Sequence, residues 1–94
     1  MEVTNLITEV YDELRSKGYV ADQYAFDEEY LGRNKGYFAY LKSTNNEPST
    51  DALMRLHFKL RKREEAYKRY GVDTGQLDGI ARNVLRFVEG RCLA

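Results

Sequence analysis

Apolar residues recur at helical spacing in five stretches of this chain, with turn-forming residues between them. Leu6, Ile7, Val10 and Leu14 share one helical face. With Thr4 or Asn5 as N-cap and Gly18 as a left-handed stop, they predict a core-facing helix over about residues 4–17. After a connector at Tyr19 to Asp22, Phe26, Tyr30 and Leu31 predict a short second helix ended by Gly32, with Asp27, Glu28 and Glu29 on its exposed face. Asn34 can cap a third helix over about 35–43 that turns Phe38 and Leu41 inward. Thr44 to Pro48 break the chain, and Ser49 or Thr50 caps a fourth helix with Asp51 in its first turn. Leu53, Leu56, Leu60 and Tyr67 carry its inner stripe toward Tyr70, where Gly71 stops it. Asp73 or Thr74 caps a fifth helix in which Leu77, Ile80, Ala81, Val84 and Val88 form one apolar stripe. No stretch alternates convincingly with the period of a strand, so the fold class is all-α with five helices.

Length sets the scale of this assembly. Ninety-four residues, 43% of them hydrophobic and 32% charged, suffice for one core and not for two. No apolar run approaches the roughly 20 residues that span a bilayer, so no membrane partner is expected. The first residues, Met1 to Asn5, lack the basic and apolar regions of a signal peptide, and the single Cys92 has no disulfide partner within the chain. The expected location is therefore cytoplasmic. Fifteen bases balance fifteen acids, but unevenly: residues 1–31 hold eight acids and two bases, and residues 32–71 hold ten bases and four acids. Such a division lets a neutral protein turn a cationic face toward a polyanion, although uneven charge on solvated helices is the plainer reading.

The stretch Leu31-Gly32-Arg33-Asn34-Lys35-Gly36-Tyr37-Phe38-Ala39-Tyr40-Leu41-Lys42, followed by Asn45-Asn46-Glu47-Pro48-Ser49-Thr50-Asp51-Ala52-Leu53-Met54-Arg55-Leu56, resembles the lambda-repressor-like (Cro and CI type) helix-turn-helix family. In that family a Leu-Gly turn precedes a recognition helix, and a loop ending in Pro-Ser leads into a Leu-x-x-Leu helix. The resemblance covers about residues 23–60 and implies a helix-turn-helix domain over 1–71, with residues 72–94 as a C-terminal amphipathic helix of the same compact unit. One position departs from the pattern. Asp27-Glu28 stands where the family usually has Leu-Ala, and a carboxylate in that core position is costly. Either the second helix is shifted so that Phe26 and Tyr30 pack in its place, or the docking is altered.

The resemblance places Arg33, Asn34, Lys35, Gly36 and Tyr37 where a recognition helix enters the major groove. Lys35 can donate to guanine, and Asn34 can pair with adenine or simply cap its helix. Tyr37 and Tyr40 can offer hydroxyls to phosphates or pack partly into the core. Lys42, Ser43, Asn45 and Asn46 then stand where contacts to the DNA backbone are expected, with Glu47 unfavourable beside them. Arg61, Lys62 and Arg63 form either a second phosphate patch or a solvated helix end paired with Glu64 and Glu65.

Enzymatic chemistry finds little support. His57 and Cys92 are each unique, so a nucleophile pair or a zinc site lacks partners. Adjacent carboxylates such as Glu28 and Glu29 splay around a helix rather than converge on a substrate. No cofactor or metal is expected. The resemblance implies a non-enzymatic, repressor-like transcriptional regulator similar to those of phages and bacteria, binding double-stranded operator DNA as a dimer through its third helix. A homodimer is expected through Leu77, Ile80, Val84 and Val88, unless the fifth helix folds back onto the first. The alternative function is a protein-interaction module on the same fold, such as an antitoxin, an anti-repressor or a phage adaptor, which the acidic second helix favours.

Overall fold

A computed structural model describes residues 3–44 and 46–93, with side chains for 6–44 and 46–91. Five helices follow in order: α1 (Val3–Ser16), α2 (Gln23–Glu29), α3 (Tyr37–Thr44), α4 (Thr50–Lys68) and α5 (Gly75–Leu93). No strand occurs among the described residues, and the fold is all-α.

Local chemistry accounts for most of the ends. Gly18 at φ 76° and Gly71 at φ 74° take the left-handed conformation that terminates α1 and α4. The Ser49 side chain accepts from the Ala52 amide at 3.1 Å and starts α4. Asp22 does the same for α2 through the Ala25 amide at 2.9 Å. Thr4 and Asn5, expected as caps, lie within α1, which begins at Val3.

One apolar cluster joins all five helices. Leu6, Ile7, Val10 and Leu14 of α1 share it with Leu53, Leu56 and Leu60 of α4 and with Leu77, Ile80, Val84 and Val88 of α5. At the other end of the core, Tyr11 stands edge-on to Phe26 at 5.4 Å and to Phe38 at 5.6 Å, measured between ring centres. Aromatic rings prefer this geometry, and the three-ring contact holds α1, α2 and α3 together.

The expected dimer face is corrected here. Leu77, Ile80, Val84 and Val88 are all buried within the chain, because α5 packs along α4 and also touches α1. With α4 supplying the partner surface, the stripe has no apolar area left to offer a second copy. The stripe is an internal face of the one core.

The connection between α2 and α3 also differs from expectation. It runs from Tyr30 to Gly36, longer than the three or four residues that join the two helices of a helix-turn-helix. Gly32 is in the left-handed region at φ 65°, as a turn requires, but Gly36 is as well, at φ 93°. The third helix consequently begins at Tyr37, not at Lys35.

Candidate nucleic-acid interface

Asp27 organises the approach to α3. It was expected on the exposed face of α2, but it is 1% exposed, and its reason lies nine to eleven residues away. Its Oδ2 accepts from the Gly36 amide at 2.9 Å and its Oδ1 from the Phe38 amide at 3.0 Å. Its backbone carbonyl accepts from the Arg33 amide at 2.9 Å. The first amides of a helix have no partner within it, and the positive end of its dipole favours a carboxylate. Asp27 thus fills the role expected of Asn34, whose side chain is exposed. Burial raises the Asp27 pKa above its ordinary value, while the amides of Phe38, Gly36 and Tyr37 pull it the other way.

On this support sits an open hollow of about 290 Å³ lined by Arg33, Asn34, Lys35, Gly36, Tyr37 and Tyr40. The fold therefore gathers the residues expected at the start of the recognition helix, but it does not leave them equally free. Arg33 donates to the Ser49 hydroxyl at 2.6 Å and approaches Asp51 at 3.5 Å, with its guanidinium 5.7 Å from the centre of the Tyr37 ring. The Tyr37 hydroxyl accepts from the Ser49 amide at 3.2 Å, so this ring braces α3 against the start of α4. Lys35 and Asn34 are exposed.

Tyr40 is 52% exposed, and its hydroxyl accepts from the Asn46 side chain at 3.0 Å. Lys42 lies with its ammonium 4.5 Å from the centre of the Phe38 ring, a cation–π contact at the surface. Ser43 is exposed and donates to the Tyr40 carbonyl at 3.2 Å. Asn45 lies outside the described residues. Lys35, Tyr40, Lys42, Ser43 and Asn46 therefore remain as an exposed polar and cationic set around α3.

The basic cluster on α4 has other uses. Arg61 binds Glu64 at 3.0 Å and Asp78 at 2.6 Å, joining α4 to the start of α5. Arg63 donates to the Tyr30 hydroxyl at 2.9 Å, and that hydroxyl donates to the Tyr19 carbonyl at 3.3 Å. Lys62 rests 5.0 Å from the centre of the Phe58 ring. Two of these three cations are thus fastened to the fold. His57 Nδ1 lies 3.1 Å from the Ala81 carbonyl oxygen, a bridge between α4 and α5.

Sequence reasoning missed a second surface. Between α2 and α4 runs an open groove of about 760 Å³ over which Met54 and Phe58 expose 40% and 59% of their surface. The signal was present, because an inner stripe at Leu53, Leu56 and Leu60 leaves Met54 and Phe58 together on another face of the same helix. No helix among the described residues is long and apolar enough to cross a membrane.

Residues 7–92 match a family of unknown function, DUF6626, and the chain belongs to that family. No curated protein and no solved structure matches it.

Proposed function

We propose that this DUF6626 protein binds double-stranded DNA through the exposed side of α3 and acts as a repressor-like regulator by occupying its site. The observation that carries this reading is the absence of any acid from residue 30 to residue 46, a stretch holding Arg33, Lys35 and Lys42. The buried Asp27 adds to it, because the acid nearest α3 spends its charge on internal amides rather than on the surface. Phosphate attraction supplies most sequence-independent affinity, and an acid-free cationic stretch leading into and along α3 is suited to it. Lys35 serves base edges near the start of the helix, while Lys42, Ser43 and Asn46 serve the backbone.

Arg33 is held by Ser49 and Asp51, so about two free cations per chain remain to release counterions. A value of Z near 2 gives a slope of about −1.8 in log affinity against log salt, or roughly tenfold weaker binding between 50 and 200 mM. Fluorescence anisotropy on a labelled random duplex reads this directly. Lys42→Ala should weaken all sequences alike and lower the slope by about one, whereas Lys35→Ala should lower the slope by a similar amount and cost a further penalty of about 1 to 3 kcal/mol on a preferred sequence. Salt-insensitive binding, or none, would replace this reading with a protein-interaction module.

A further inference from the structure

The α2–α4 groove combines an apolar floor with two walls of opposite charge. Met54 and Phe58 form the exposed apolar part, Glu28 and Glu29 line the α2 side, and Lys59 and Lys62 line the α4 side beside Asp51 and Arg55, which neutralise each other at 3.0 Å. None of Glu28, Glu29, Lys59 and Lys62 joins an ion pair among the described residues, although every one of them is exposed. Opposite charges that share one groove and do not close on each other are available to a visitor, and the visitor must carry both signs.

We propose that the occupant is a second copy of this chain, docked groove to groove about a two-fold axis. A two-fold interface presents the same patch twice and must be self-complementary. An axis lying along the groove turns the acidic wall of one copy over the basic wall of the other and brings Phe58 against its own counterpart. An axis running across the groove sets acid on acid and base on base, which charge forbids. The patch is therefore complementary to itself in one arrangement, with the two α4 helices running parallel. The pairing covers Met54 and Phe58, large apolar side chains that otherwise stand in water. This face is distinct from the α5 stripe, which is already buried, and it does not depend on whether α3 binds DNA.

Sedimentation equilibrium on the full chain tests the proposal. The parent should show twice its 11.0 kDa chain mass and dissociate as salt rises. The double variants Glu28→Lys with Glu29→Lys, and Lys59→Glu with Lys62→Glu, should each be folded by circular dichroism and monomeric alone. An equal mixture of the two should recover the dimer, because each supplies the wall the other has reversed. Phe58→Ser, at an exposed position, should also be monomeric and serves if a charge variant fails to fold. A parent that stays monomeric at its highest soluble concentration, a reversed variant that still self-associates, a mixture that does not recover the dimer, or a dimeric Phe58→Ser would overturn the proposal.

Discussion

Removing the Asp27 carboxylate should unfasten α3 from the rest of the protein. In Asp27→Ala the Phe38 amide, which is buried, and the Gly36 amide, which is partly buried, lose their acceptor. A buried donor left without a partner costs about 1 to 3 kcal/mol, and the Gly36 amide can recover water, so the sum is about 2 to 4 kcal/mol. That is a large share of the roughly 5 to 15 kcal/mol that holds a small domain together. A domain of this size loses about 4 to 8 °C of Tm per kcal/mol, which gives a drop of about 8 to 32 °C. Asp27→Asn keeps one acceptor oxygen but points an NH2 group at the other amide, so it should be nearly as damaging. Urea denaturation followed by far-UV circular dichroism gives the stability, and hydrogen exchange at Phe38 should lose protection ahead of α4 and α5. Asp27→Ala within about 0.5 kcal/mol of the parent, with Phe38 still protected, would refute the capping role.

Other perturbations probe separate parts of the structure. Because burial raises the Asp27 pKa above its ordinary 3.8, its proton is held more tightly in the folded state, so on this account the parent's stability should be fullest below 3.8 and fall as pH rises through the folded value in an equilibrium stability profile. Asp78 behaves oppositely. Arg61 at 2.6 Å lowers its pKa, so its contribution is complete above 3.8 and disappears as pH falls through the folded value, and Arg61→Met should flatten that acid limb of an equilibrium stability profile. Val84→Asp should reduce stability by at least about 3 kcal/mol in a thermal melt, since Val84 is fully buried inside one chain; a normally stable, merely monomeric variant would contradict that burial. Gly32→Ala should cost about 1 to 2 kcal/mol in the same assay, because φ is 65° there and a Cβ would lie 2.6 Å from Arg55 Cδ; an unchanged melt would show that the turn tolerates a side chain.

The helices were legible where a local signal and a periodic one agreed. Gly18, Ser49 and Gly71 each combine a terminating or capping residue with the end of an apolar stripe, and each takes its expected role. Asp27 was not legible, because it sits in an Asp-Glu-Glu triplet that reads as a solvated face. What buries it is a set of backbone amides beyond the turn, to which hydrophobic periodicity is blind. The same amides displace Asn34 as the cap and start α3 two residues late. For α5 the period showed correctly that Leu77, Ile80, Val84 and Val88 must be covered, but a stripe says nothing about its cover. The covering surface comes chiefly from α4, with α1 adding to it. At the interface, Lys35 and Lys42 were readable as exposed cations, whereas the tether on Arg33 comes from Ser49 and Asp51, far away in sequence.

Mapping a bound duplex onto the backbone amides of the chain tests the central claim most directly. In a titration of isotopically labelled protein with random-sequence duplex at low salt, the account predicts shifts concentrated at Asn34 to Asn46, strongest around Lys35 and Lys42, that reverse as salt is raised. Shifts centred on Met54 and Phe58 in the α2–α4 groove, or an unperturbed spectrum, would contradict it.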